Sequence, residues 1–263
     1  MGRLRIASAR FMIRLGNLIQ SLAVVVMRPD DLIEFSRRTY ARPTGVAGWS
    51  RADLVDEGLY RDELALLERS PVQDGRLLLL DIGGGREAIP LAQRGFLVTG
   101  VDFVAGMVEQ AKANAAQRGV FLEGLVQEIS QLDVPHGAYD LAWLSARMYS
   151  SVPTRQRRVQ MLRRIARALR ADGCFICQFD WALKQRRSPY ALRLYRCFAW
   201  LTLGYLQFEP GDTLWGNAEF IHTFDDETKL RMELAEGGFD VLHLDIFDEK
   251  TCGGAVLRKK DGV

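Results

Sequence analysis

The sequence predicts an α/β fold: a seven-stranded, mostly parallel sheet with helices on both faces and a terminal antiparallel hairpin. Three observations carry that prediction. From Leu77 onward, short apolar runs alternate with helical patterns, the signature of a parallel sheet covered on both sides. The first run, Leu77 to Leu80, has no polar alternation, as expected of a strand buried on both faces. The last two strand signals follow one another with no helix between them, which makes them an antiparallel pair.

The strands read as Leu77–Leu80, Phe96–Val101, the weaker Phe121–Glu128, Tyr139–Leu144, Cys174–Asp180, Phe239–Phe247 and Gly254–Arg258. Between them, Glu87–Arg94, Ala105–Arg118, Thr154–Leu169 and Glu227–Glu236 read as helices. Val159, Leu162, Ile165 and Leu169 fall on one helical face, and Gly237-Gly238 marks a helix stop. Residues 1–76 stand outside this alternation as an amino-terminal helical extension, with Asp56–Arg69 a helix packed on the sheet domain of residues 77–263. Residues 182–215 form an insert rich in aromatics, among them Tyr190, Tyr195, Trp200, Tyr205 and Trp215. It leaves the sheet at the carboxyl end of a strand, where open α/β sheets bind ligands.

Composition excludes several classes. The chain has 263 residues, 48% hydrophobic and 26% charged, so it is neither disordered nor low-complexity. Its net charge of +2 names no partner by itself. Four cysteines are too few for a disulfide scaffold of this length, and the Cys174-x-x-Cys177 pair lies on a strand, where residues three apart face opposite sides. The histidines, His136, His222 and His243, are scattered and suggest no metal site. The stretch Phe11–Met27 is apolar but interrupted by Arg14, Asn17 and Gln20, and its clean run is short of the roughly 20 residues that span a bilayer. No small-residue cleavage site follows it, so the expected location is cytoplasmic. Residues 1–28 carry five arginines and no acid, which suits a membrane surface or a hydrophobic partner; the competing reading is an internal helix.

One motif carries chemistry. Asp81-Ile-Gly83-Gly-Gly85-Arg-Glu-Ala88 follows a strand and opens a helix, so Gly83 and Gly85 permit a tight turn and close approach to a ligand at a helix amino terminus. Asp102 closes the next strand, 19 residues after Gly83, where an acid accepts hydrogen bonds from ribose hydroxyls. The pattern points to a bound nucleoside. Gly83-x-Gly85-x-x-Ala88 formally fits a dinucleotide fingerprint, which leaves an NAD(P) oxidoreductase or a non-catalytic nucleoside-binding domain as alternatives.

From Asp56 to Lys259 the chain resembles the class I S-adenosylmethionine-dependent methyltransferases, whose sheet is Rossmann-like. Asp81-x-Gly83-x-Gly85 resembles that family's first motif, Val101 to Lys112 its second strand and helix, Ala138 to Leu144 its fourth strand, and Leu169 to Gly173 its turn into the fifth strand. The resemblance implies S-adenosylmethionine as cofactor. It places Gly83 and Gly85 under the methionine part, Asp81 near the amino group, Asp102 on the ribose, Phe103 and Met107 beside the adenine, Glu128 on the adenine amino group, Ile129 against the base, and Ser145 at the methionine end. Plain core packing competes for Phe103, Met107 and Ile129. Two departures stand out: Glu87 replaces the family's third glycine, and Glu128 stands where Asp is usual.

A weakly acidic acceptor needs a base within hydrogen-bond reach. His222 and Tyr149 are the first candidates, with Glu219 and Asp180 behind them, and Arg147 near the cofactor mouth. No Asn-Pro-Pro-Tyr follows the fourth strand, which disfavours amino methylation of bases or glutamine. Thr154–Arg170 carries seven arginines and no acid, and Ala182–Phe208 carries Lys184, Arg186, Arg187, Arg193 and Arg196 and no acid. Without a recognised nucleic-acid module, the expected partner is a small lipophilic or aromatic substrate, with a membrane surface ranked above nucleic acid.

Overall fold

Four consecutive leucines leave water no purchase on either side of their strand, and the chain answers by placing them at the middle of the sheet. In a computed structural model, which describes residues 2–182, 189–216, 219–247 and 251–262, the strands are β1 (Gly75–Leu80), β2 (Phe96–Asp102), β3 (Glu123–Val126), β4 (Tyr139–Leu144), β5 (Leu169–Asp180), β6 (Asp212–Trp215), β7 (Glu219–His222), β8 (Phe239–Phe247) and β9 (Cys252–Lys259). Seven of them form one sheet in the order β3-β2-β1-β4-β5-β9-β8, parallel except for β9. The expected architecture and its closing hairpin are therefore present. β6 and β7 form a separate antiparallel hairpin.

Strand side chains alternate between two cores. Leu78, Leu80, Ala142, Leu144, Phe175 and Cys177 enter one core, under α8 (Arg155–Ala168) and α10 (Glu227–Glu236). Leu77, Leu79, Leu141, Trp143, Cys174 and Ile176 enter the other, under α5 (Arg61–Glu68), α6 (Ala88–Gln93) and α7 (Ala105–Gln117). Cys174 and Cys177 thus lie in different cores. Fully burying each leucine of β1 contributes about 1.5–3 kcal/mol.

One local difference from the sequence reading has a clear physical cause. Asp56–Arg69 is not one helix: α4 (Ala52–Asp56) ends, Gly58 takes a positive φ of 61°, and α5 begins at Arg61. Only glycine adopts that φ without strain, so the chain turns there. The insert has structure of its own, α9 (Pro189–Thr202) and the β6-β7 hairpin. Lys184, Arg186 and Arg187 of its basic stretch lie outside the described residues.

The amino-terminal helices and the insert also build a third core together. Val24 and Val25 from the end of α1 (Gly2–Val26) and Leu32 of α2 (Pro29–Tyr40) pack with Tyr195, Ala199, Tyr205, Phe208, Leu214 and Phe220. The Tyr205 N–H donates to the Val25 carbonyl at 2.9 Å. Gly204 is required there, because any Cβ would meet the Val25 and Val26 carbonyls.

The arginines of Thr154–Arg170 are largely committed within the chain. Arg155 and Arg163 pair with Glu236, Arg157 with Asp30, Arg170 with Asp140, and Arg164 donates to the Leu132 carbonyl. Arg158 is fully buried, and its guanidinium bonds Glu233 at 2.7 Å and Glu209 at 3.0 Å. The Tyr149 hydroxyl donates to Glu233 at 2.6 Å. This network joins α8, α10 and the insert. Removing one partner of a buried pair strands the other charge at a cost of about 3–5 kcal/mol. Arg158→Leu is accordingly expected to lower the thermal unfolding midpoint by about 10 °C, read by differential scanning calorimetry; an unchanged midpoint would show that Glu233 reaches water.

Candidate functional site

The site begins where β1 ends. Asp81 adopts φ 62°, and Gly83 and Gly85 follow at φ 51° and 95°. A Cβ on Gly83 would meet nothing within 4 Å, so its backbone faces open space. Gly84 is pressed from behind by the Trp49 carbonyl and Ser50, and its own carbonyl accepts from the Asn114 side chain at 2.9 Å. Gly85 lies against Ile89 and Ala111 and turns the chain into α6.

Asp102, at the end of β2, locks this loop to the next. One carboxylate oxygen accepts from the Gly83 N–H at 3.1 Å, the other from the Val104 N–H at 2.8 Å. Burial pushes its pKa up to about 6, opposed by those N–H groups. Burial and the nearby Asp102, Glu219 and Glu87 carboxylates push Asp81 well above the usual carboxylate range. Among the described residues no Lys or Arg ion-pairs with either acid.

Both acids line a cavity of about 690 Å³ at the carboxyl ends of the sheet strands. Gly83, Phe103, Met107, Glu87 and Ser145 line the same cavity. Glu87 is anchored: the Ser145 hydroxyl donates to it, and Arg86 pairs with it. Arg86 in turn makes a bidentate pair with Glu63 of α5 at 2.7 and 2.8 Å, donates to the Gly58 carbonyl at 2.7 Å, and lies over the Tyr60 ring at 4.0 Å. The side chain that stands in place of a third glycine thus fastens the extension to the loop.

Glu128 and Ile129 border a smaller, adjoining space of about 40 Å³, shared with Phe103 and Asp81 and closed by Ile33, Ser36 and Tyr40 of α2. Glu128 accepts from the Ser130 N–H at 2.8 Å and hydroxyl at 2.6 Å.

Tyr40, Trp49, Arg147, Asp180, Trp215 and Glu219 also line the large cavity. The Tyr40 hydroxyl donates to Glu219. Arg147 pairs with Asp180 at 3.1 Å. Burial raises the pKa of both Glu219 and Asp180, with Tyr40 lowering the first and Arg147 the second.

The two leading base candidates lie elsewhere. Tyr149 is fully buried beneath the cavity floor with its hydroxyl on Glu233. His222 is buried with Nδ1 bonded to Asp212 at 2.7 Å and its ring edge-on to Phe224. Neither lines the cavity. His222, Asp212 and Glu209 do converge as a cluster of metal-ligand types, which the scattered histidines did not suggest. Arg158 supplies the positive charge beside Glu209. Sequence reasoning missed Tyr40, Trp49, Glu63 and Arg86. Only α5's Tyr60-x-x-Glu63 start, where Glu63 accepts from the Tyr60 N–H at 2.7 Å, leaves a local trace.

The comparisons agree with this geometry. Residues 79–173 match the methyltransferase domain family. The YqeM protein of Bacillus subtilis (strain 168) is 27% identical over 126 residues, 47% of this chain and 50% of that protein. The ubiquinone biosynthesis O-methyltransferase of Paramagnetospirillum magneticum (strain ATCC 700264 / AMB-1) is 42% identical over 79 residues, 29% of this chain and 31% of that protein. The chain therefore spans half the length of the first relative and less of the second. An S-adenosylmethionine-dependent methyltransferase structure from Methanosarcina mazei superposes with a TM-score of 0.58 at 21% identity, over 77% of this chain and 99% of that one. The fold is of the Rossmann-like type seen in S-adenosylmethionine-dependent methyltransferase structures, and residues 79–173 match a methyltransferase domain.

The acid pair makes a pH prediction. An ionised Asp102 is the stronger acceptor for ribose hydroxyls, so affinity for S-adenosylhomocysteine is expected to fall as pH drops through about 6. The stability of the ligand-free protein responds in the opposite sense. An acid whose native pKa lies above its unfolded value of about 3.9 holds its proton more tightly when folded. Its contribution therefore falls as pH rises from about 4 to about 6. Calorimetric titrations at pH 5 to 8 check the affinity trend, and thermal unfolding over the same range checks the stability trend.

Proposed function

We propose that this chain transfers the methyl group of S-adenosylmethionine to a small lipophilic or aromatic acceptor. The carrying observation is the pair Asp81 and Asp102, buried at the mouth of a cavity and ion-paired to no protein cation among the described residues. Such a site fits a ligand bearing an ammonium and a sulfonium. A pyrophosphate at the same loop would face the Asp81 carboxyl group, which counts against a dinucleotide.

Asp102 would accept from the ribose hydroxyls while keeping its backbone bonds, since a carboxylate has about four lone-pair sites. Asp81 would meet the amino group, and Gly83 admits the methionine chain because no side chain fills its open face. Phe103, Met107 and Ile129 would flank the base, and Glu128 has acceptor capacity left for its amino group. Ile33, Ser36 and Tyr40 of α2 border that end of the site and would lie beside the base.

When bound, the cofactor supplies an electrophilic methyl group for in-line displacement, so the protein's task is orientation and charge. The acceptor would sit on the side lined by Trp49, Trp215 and Ile221. Glu219, its pKa raised by burial, is placed to take the acceptor's proton, and Tyr40 orients it.

Two measurements test the proposal. Asp102→Ala is expected to weaken S-adenosylhomocysteine binding by about 1.5–3 kcal/mol, the scale of hydrogen bonds to a charged group; binding of NADH in its place would overturn the cofactor. In a labelled-methyl assay over a panel of phenols, catechols and hydroxylated lipids, Glu219→Gln is expected to lower kcat by about 10²-fold or more with cofactor affinity retained. Unchanged kcat would remove Glu219 as the base.

A further inference from the structure

The third core has an outer surface that the cavity does not use. α9 lies beside α1 there. On α9, Tyr195 and Ala199 point inward, which leaves Tyr190, Arg193, Trp200 and Leu201 outside, with Trp200 68% exposed. Leu203 and Leu206 in the following turn are also exposed. Among the described residues of α1, burial is confined to the final turn, at Val24 and Val25; Phe11 and Met12 are 66% and 72% exposed.

The exposed part of α1 is patterned. Phe11, Leu15 and Leu18 recur at intervals of four and three residues and share one stripe that runs on to the half-buried Leu22, while Arg10, Arg14 and Ser21 lie along its flank. Arg5, Arg10 and Arg14 on α1 and Arg193 and Arg196 on α9 are all exposed, and neither helix contains an acid. Large exposed apolar side chains beside uncompensated arginines, with Trp and Tyr among them, match the boundary between anionic headgroups and acyl chains.

We propose that α1 and α9 dock the protein on an anionic phospholipid surface, with α1 lying in the plane of the headgroups. Residues Arg5–Val26 are apolar and long enough, by length and composition, to cross a membrane, with a mean hydropathy of 1.3. Crossing would carry Arg10 and Arg14 into the hydrocarbon, whereas the in-plane arrangement keeps both at the headgroups. The same arginines oppose a second copy of this chain as the occupant, since identical basic faces repel. The inference stands whichever acceptor is methylated.

The test is co-sedimentation of the full chain with vesicles of phosphatidylglycerol and phosphatidylcholine, against phosphatidylcholine alone. Binding is expected only with the anionic lipid, falling at least about tenfold in about 0.5 M salt, and released by alkaline carbonate. Phe11→Ser/Leu15→Ser/Leu18→Ser is expected to lower binding at least about tenfold with the thermal midpoint unchanged, because these residues are exposed in the folded protein. Arg10→Ala/Arg14→Ala provides a second, charge-only variant with the same expected loss. Failure of the wild-type chain to bind anionic vesicles at low salt overturns the proposal, as do variants that bind like wild type. Carbonate-resistant protein released only by detergent replaces surface docking with a spanning helix. A wild-type dimer that the serine variant dissociates, with vesicle binding unaltered, assigns the face to a second copy.

Discussion

Asp102 holds two neighbouring strand ends in register with a single carboxylate. One oxygen takes the N–H of the glycine loop after β1, the other the N–H that opens α7. Each bond is charge-assisted and buried, so each is stronger than a neutral pair. The bonds fix the loop geometry before any ligand arrives. The burial that strengthens them also raises the acid's pKa to about 6, so one group both shapes the pocket and sets the pH range in which it is the stronger acceptor.

A second constraint works from the other end of the chain. Arg86 reaches from the glycine loop to Glu63, Gly58 and Tyr60, and it neutralises Glu87, which would otherwise add a further carboxylate without a cation to the cavity. Loss of Arg86 would change the charge of the pocket and free the extension together. The Arg158 network does for the insert what Arg86 does for the extension, with Glu209 and Glu233 as the acids.

What the sequence shows in advance divides along a physical line. β1, β2, β4 and β5 are legible because burial on both faces forces unbroken apolar runs, and the acid–glycine loop is legible because backbone approach demands small residues at fixed spacing. Asp81, Gly83, Asp102, Phe103, Met107, Glu87 and Ser145 all reach one cavity. The acceptor side is not legible in that way. Tyr40 and Glu219 are 179 residues apart and meet only because a helix of the extension packs on a hairpin of the insert. His222 looked reactive as an isolated histidine after an aromatic run; Asp212, ten residues earlier, engages it across the β6-β7 hairpin. No local pattern announces such pairings.

The third core has a consequence for how this protein could change its acceptor. α2 gives Leu32 to that core and Tyr40 to the cavity wall, and the β6-β7 hairpin gives Phe220 to the core and Glu219 to the wall. Wall and core are built from the same short elements, drawn from two distant stretches of sequence. Residues 24–40 and the described residues of 190–222 therefore form a discontinuous cassette whose halves must fit one another. A chimera exchanging one half alone would bring mismatched surfaces to both the core and the wall, whereas exchanging both halves would graft a complete acceptor wall onto an unaltered nucleotide-binding sheet.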